Sequence, residues 1–176
     1  MSRPTLGRYL AGILLALAVA LGSVAPASAS DASLKQTIKK LDRSLEKKAG
    51  AVAFPEDPKS STFAKDYAAA TAKLDKLLAS YRSGIADERG STSKGRQARK
   101  LLMSATSGLR TWLKTLTGVV TRTPAGEDAS AADQAKLKDA AKGFKKALKD
   151  NTRAYKLLGM KAPEPSVPGE DGTTAV

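Results

Sequence analysis

Four stretches of this sequence repeat apolar side chains at alternating spacings of four and three residues, which is the period of one face of an α-helix. These stretches cover residues 34–45, 63–85, 98–119 and 137–158. Helices of this kind bury their apolar faces against one another. The pattern therefore predicts an all-α fold, and the short connections between the stretches favour a four-helix up-down-up-down bundle.

Residues that break or cap helices separate the four stretches. Prolines at residues 54–58 form the first connection, because proline lacks a backbone donor and cannot continue a helix. Small and turn-forming residues at 90–93 and 123–126 break the other two connections. Two capping boxes, Ser33 with Gln36 and Ser130 with Asp133, predict where the first and fourth helices begin.

Residues 1–29 have the three parts of a secretory signal peptide. Basic residues precede an apolar run at residues 10–21, and the small residues Ala27 and Ala29 precede the expected cleavage bond. We favour cleavage after Ala29 over an uncleaved anchor, because a membrane-spanning helix needs about 20 apolar residues. The chain is therefore expected to be exported, to a periplasm, a lumen or the extracellular space.

The exported chain would contain one helical domain and a short tail. Its length suits a single core at residues 30–161, whereas the proline-rich residues 162–176 have no apolar periodicity and are expected to be disordered. The sequence has no cysteine, which excludes disulfides and a lipid-bearing cysteine at the cleavage site. We expect a soluble protein.

The residue types needed for much of enzyme chemistry are missing. Because the sequence has neither histidine nor cysteine, it excludes Ser-His-Asp triads, thiol nucleophiles and histidine-bound zinc. Acidic pairs occur only at Glu56-Asp57, Asp87-Glu88 and Glu127-Asp128, in connections or at helix ends. We interpret them as solvated loop residues and caps rather than as a carboxylate active site or a metal cluster. The sequence thus predicts no catalytic residue, metal or cofactor.

The whole chain has a formal net charge of +13, and its basic residues are concentrated in the second half. On the fourth helix a lysine follows almost every residue of the predicted apolar stripe, and these are Lys138, Lys142, Lys145, Lys149 and Lys156. Such a row either keeps an exposed face soluble or binds an anionic partner. Nucleic acid is disfavoured, because the aromatic residues fall mainly on the apolar stripes and would not be free to stack on bases.

The predicted stripe of the fourth helix contains one polar residue, Asn151. The other members are apolar, and they are Leu137, Ala141, Phe144, Leu148, Tyr155 and Leu158. A buried amide must be hydrogen-bonded or cost about 1 to 3 kcal/mol. We interpret Asn151 as a residue that fixes helix register, with contact to a ligand as the alternative.

The order of these features resembles the lumenal assembly factor family of photosystem II, small four-helix proteins that bind immature reaction-centre complexes transiently. Residues 54–58, Phe-Pro-Glu-Asp-Pro, are similar to the family's proline-acidic turn. Residues 76–78 with Tyr81-Arg82 resemble the end of its second helix, and residues 136–138 with Phe144-Lys145 resemble its last helix. The resemblance covers about residues 34–150. Unlike cyanobacterial members, this chain has no lipid-attachment cysteine.

Two functions follow as hypotheses. The first is a non-enzymatic accessory protein that docks on the extracytoplasmic face of a membrane protein complex, as the resemblance implies. The second is a secreted or envelope protein that binds anionic polymer or lipid headgroups. The residues that we predict to contact the partner are Pro55, Glu56, Asp57, Arg82, Lys138, Lys142, Lys145 and Lys149.

Overall fold

A computed structural model of the chain describes residues 31–162. The described part contains four α-helices, namely α1 (Ala32–Gly50), α2 (Phe63–Asp87), α3 (Ser93–Arg122) and α4 (Ala131–Leu157). Each of the four predicted stretches is therefore a helix. The predicted signal peptide and nearly all of the predicted tail lie outside the described residues.

The helices pack in chain order, α1 on α2, α2 on α3 and α3 on α4, and the last pair makes the most extensive contact. One core cluster joins the end of α1 (Ala49) to the start of α2 (Phe63) and the end of α3 (Leu116). The other cluster joins the start of α1 to the end of α2, the start of α3 and the end of α4, through residues such as Ile85 and Leu158. The start of each helix therefore lies beside the end of the next helix in the chain, which confirms the predicted up-down-up-down bundle.

The helix starts differ from the predicted capping boxes at one of two sites. The Ser130 hydroxyl accepts a hydrogen bond from the backbone N–H of Asp133 at 3.1 Å, so α4 begins as predicted. The prediction for α1 is wrong, because α1 begins at Ala32 and the Ser33 hydroxyl instead donates to Glu88 at 3.0 Å. A contact between helices thus replaces the local cap.

The buried face of α4 is rotated from the predicted stripe. Tyr155 and Leu158 of that stripe are buried, but Phe144 and Leu148 are only half-buried, whereas Ala147 and Ala154, outside the stripe, are buried at 3% and 0% exposure. The cause is close packing against α3. A Cβ atom on Gly108 would lie 3.0 Å from the Ala147 Cβ, so only small side chains fit between these helices.

Among residues 31–162, no helix is both long enough and apolar enough to cross a membrane.

Candidate functional site

The outer side of α4 carries the basic residues that the sequence singled out. Lys138, Lys142, Lys145 and Lys149 are all exposed. At 100° per residue they lie opposite the buried Ala147 and Ala154, so their ammonium groups face solvent. We call these four lysines the α4 basic row. The rotation of α4 places the row farther from the core than the predicted stripe did.

Carboxylates neutralise little of this row. Asp139 accepts a hydrogen bond from the Lys142 ammonium at 2.8 Å, which holds the pKa of Asp139 below its ordinary value and raises the pKa of Lys142. Within residues 31–162, no carboxylate lies at ion-pair distance from Lys138, Lys145 or Lys149. The row therefore offers several uncompensated positive charges to an anionic partner.

The proline connection lies at the opposite end of the bundle from the start of α1. Glu56 and Asp57 are exposed, Pro55 is half-buried, and an Asp57 carboxylate oxygen accepts a hydrogen bond from the Lys59 backbone at 2.9 Å. Phe54 anchors the connection, because its ring packs on Tyr67 with the ring centres 5.4 Å apart. The two acids form a solvated turn that is available to a partner.

Arg82 lies in another part of the molecule. It is half-buried in α2, and its Nε atom donates to the Ser107 hydroxyl of α3 at 3.1 Å. It stands 19 residues after Phe63, the first residue of α2, which corresponds to about 28 Å along the helix. The structure therefore separates Arg82 from Pro55, Glu56 and Asp57, so these predicted contact residues do not form one compact site.

A buried carboxylate that the sequence interpretation missed joins three helices. Asp42 in α1 accepts hydrogen bonds from the Tyr81 hydroxyl at 3.0 Å and from the Tyr155 hydroxyl at 2.7 Å. Burial raises the pKa of Asp42, and the two hydrogen bonds oppose this effect. Asn151 is only half-buried, whereas Asp42 is a buried carboxylate at 6% exposure.

The sequence did contain a signal for this cluster. Asp42 follows Leu34 and Ile38 at successive spacings of four, which places it on the buried side of α1. Two tyrosines on apolar stripes also require partners for their hydroxyl groups. Both Asp42 oxygens are occupied by these hydroxyls, which suits a structural link rather than proton transfer to a substrate.

A second missed residue, Asp31, links α1 to the start of α3. Its carboxylate accepts hydrogen bonds from the backbone N–H groups of Ser91 and Thr92, at 3.0 and 3.2 Å, and from the Thr92 hydroxyl. Burial alone would raise the pKa of Asp31, but these hydrogen bonds outweigh burial and hold the pKa below its ordinary value. A Cβ atom on Gly95 would overlap this carboxylate, so a larger residue there would force Asp31 to shift.

Several of the remaining acids of the described helices form ion pairs rather than a metal-binding group. Within residues 31–162, no group of three or more acidic side chains is placed to hold a metal ion. Asp133 is paired with Arg122 at 2.7 Å, and this hydrogen bond is the main reason that the pKa of Asp133 falls to about 2. Such ion pairs join helices and leave the basic surfaces as the distinctive feature.

Comparison with known proteins identifies no family for this bundle. Neither the models of known protein families, nor curated proteins, nor solved structures gave a match to the chain. The four-helix all-α domain is therefore the class that its geometry defines.

Proposed function

We propose that this protein is an exported, non-enzymatic accessory protein that docks on the extracytoplasmic face of a membrane protein complex. The observation that carries the proposal is the α4 basic row, whose lysines are exposed and mostly unpaired on the side of α4 opposite its buried face. A row of this kind attracts acidic loops and fixes the orientation of the partner. Docking needs no catalytic group, which agrees with a chain that has no histidine or cysteine.

The resemblance to the photosystem II assembly factor family supports the same proposal. That family is built as a four-helix protein, and this chain is a four-helix all-α domain. The similar turn at residues 54–58 is solvated here and carries two exposed acids. In this proposal the turn supplies a second contact to the partner, away from the α4 basic row.

An affinity capture tests the proposal directly. Immobilised protein is incubated with detergent-solubilised envelope membranes of the source organism, and the retained subunits are identified by mass spectrometry. We expect wild type to retain subunits of one membrane complex, and K138Q/K142Q/K145Q/K149Q to lose them. The matched control removes four exposed lysines from α1 and α2, in K40Q/K47Q/K48Q/K65Q.

The outcomes distinguish binding through the α4 surface from a general effect of net charge. Equal loss in both quadruple variants would show that net charge alone matters, and would contradict docking through α4. Glu56→Ala combined with Asp57→Ala should fold normally, because exposed loop acids contribute little stability. Reduced capture by this double variant would show that the turn contacts the partner, whereas unchanged capture would limit the contact to α4.

A second candidate function is favoured by the same unpaired lysines. A protein with three uncompensated lysines on one helix side could bind a free anionic envelope polymer or lipid headgroups without any protein partner. Binding of this kind weakens steeply with salt, because screened charge supplies nearly all of the affinity. Retention of polymer, but of no membrane-complex subunit, would favour this second function over the first.

A further inference from the structure

The basic surface extends beyond α4, because α3 carries charge of the same sign. Seven basic and no acidic residues lie in α3, and eight basic and three acidic residues lie in α4. By comparison, α2 holds four basic and three acidic residues. The two helices that pack most closely are thus also the two that together hold most of the positive charge.

The pairing of α3 with α4 brings some of these charges onto one side of the molecule, whereas Arg99 and Arg110 bond to α2. The helices run antiparallel, with Arg122 bonded to Asp133 at 2.7 Å near one end and Ser104 bonded to Asp150 at 3.3 Å near the other. Between these contacts, Gly108 meets Ala147 without room for a larger side chain. We call the line along which α3 and α4 approach each other the seam.

Exposed cations stand on both sides of this seam. Lys100 and Lys114 are 14 residues apart, nearly four helical turns, so both point outward from α3 and are separated by about 21 Å. The antiparallel register sets Lys100 beside Arg153 and Lys114 beside the residues around Lys142. We call the surface formed by Lys100, Lys114, Lys142, Lys146, Lys149 and Arg153 the seam face.

The acidic residues along the seam are already neutralised by neighbouring cations. Asp139 pairs with Lys142 at 2.8 Å, and Asp150 pairs with Lys146 at 2.6 Å. In the part of the chain that the structure describes, no carboxylate lies at ion-pair distance from Lys100, Lys149 or Arg153. The charge that remains is therefore positive and is distributed over two dimensions rather than along one line.

We propose that the seam face lies flat against an anionic lipid leaflet and holds the protein at the membrane surface. A linear polyanion can neutralise one row of cations, whereas a leaflet of anionic headgroups can meet both rows at once. The aromatic side chains next to the seam are turned inward, since Trp112 packs on Phe144 with the ring centres 4.8 Å apart. Attachment is therefore electrostatic, without insertion of aromatic residues.

The inference rests on the proposed function, because the outer side of α4 would contact both the partner complex and the lipid leaflet. Adsorption on the leaflet would confine the protein to the surface that contains its partner complex. The α3 cations distinguish the two roles, since Lys100 and Lys114 belong to the seam face and not to the α4 basic row.

Vesicle co-sedimentation tests the inference. The purified exported protein is mixed with vesicles of 30% phosphatidylglycerol in phosphatidylcholine, or of phosphatidylcholine alone, at low and high salt. We expect binding only to the anionic vesicles, and release by salt. Each cation in contact contributes about fivefold in partitioning, so four substitutions should reduce it at least about 50-fold. The variant is K100Q/K114Q/K149Q/R153Q.

The matched control also removes three exposed lysines and one exposed arginine, but from α1, in K40Q/R43Q/K47Q/K48Q. We expect this control to change partitioning by no more than about threefold, as a general charge effect. Equal losses in the two variants would overturn the seam face. Absence of wild-type binding, or binding that survives high salt, would overturn electrostatic attachment to lipid.

Two further measurements keep this proposal separate from docking and from polymer binding. K100Q/K114Q should weaken vesicle binding yet retain the membrane complex from detergent extracts, where no leaflet is present. Failure of vesicle binding with intact capture would overturn the lipid proposal alone. Polyphosphate at matched charge should compete less well than anionic vesicles, and stronger competition by polyphosphate would identify a linear polyanion as the ligand instead.

Discussion

At the residue scale, Asp42 shows how a buried charge can be kept in a small helical core. Its two oxygens accept hydrogen bonds from tyrosines on α2 and α4, so the ionised group is solvated by hydroxyls instead of water. Burial still raises its pKa above the ordinary value of 3.8. The folded state therefore binds the Asp42 proton more tightly than the unfolded state does.

The sign of the pH dependence follows from that shift. The contribution of Asp42 to the free energy of unfolding is complete below about pH 3.8 and is lost as the pH rises through the raised pKa. Asp42→Asn has no such titration but can keep both tyrosine contacts. We expect the stability of this variant relative to wild type to increase from pH 3 to pH 7, measured by urea unfolding. A pH-independent difference would contradict the shift.

Asp42→Ala provides the contrasting substitution at the same position. It leaves the hydroxyls of Tyr81 and Tyr155 buried without their acceptor, which should cost about 2 kcal/mol or more at pH 7. Asp133, whose pKa is lowered, titrates in the opposite direction but equally in all three proteins, so it cancels from the comparison.

Gly95 is a second position where one residue decides the packing. Alanine is the better helix former by about 1 kcal/mol, so Gly95→Ala would stabilise an isolated α3. In the bundle the added Cβ overlaps the Asp31 carboxylate. We expect Gly95→Ala to lower the melting temperature in wild type but to be neutral or stabilising in an Asp31→Ala background. Equal effects in both backgrounds would show that Asp31 is not the obstacle.

At the element scale, the helices and their order were predictable from periodicity alone, whereas the orientation of α4 was not. Alternating spacings of four and three identify a helix, but alanine is common on both buried and exposed faces. The stripe through Phe144 and Leu148 follows the larger side chains. Glycine at position 108 reverses this preference, because the close approach of α3 selects small residues at the contact.

The predicted contact residues also show what periodicity within one helix can and cannot predict. Sequence spacing correctly indicated an exposed lysine row on α4, because exposure follows from one helix. The links made by Asp31 and Asp42 join residues far apart in the chain, and periodicity within one helix has no information about partners on another. Arg82 and the proline turn are separated for the same reason, since their distance depends on the length of α2.

A pair of substitutions tests the orientation of α4. Ala147→Asp puts a carboxylate at a buried contact with Gly108, and Ala141→Asp makes the same chemical change at a half-buried position. We expect the first to destabilise the fold by about 3 kcal/mol and the second by less than about 1 kcal/mol. Thermal unfolding measures both. The reverse order would restore the stripe through Ala141 and exclude the rotation.

At the scale of the whole molecule, the helix pairs differ in how extensively they pack. The α3–α4 pair has the largest interface and the α1–α2 pair the smallest of the three sequential contacts. Local opening follows the weakest packing. We expect the backbone amides of α1 to exchange with solvent faster than the central amides of α3 and α4, in hydrogen-exchange mass spectrometry. Slower exchange in α1 than in α4 would contradict this order.

The hydrogen bonds of Asp31 also determine when α1 can be fixed in place during synthesis. Its carboxylate binds residues that lie 60 and 61 positions later in the chain, at the start of α3. During synthesis α1 therefore leaves the ribosome long before the groups that hold its first residue exist. The hydrogen bonds that fix the start of α1 can therefore form only after residues 91 and 92 have been synthesised.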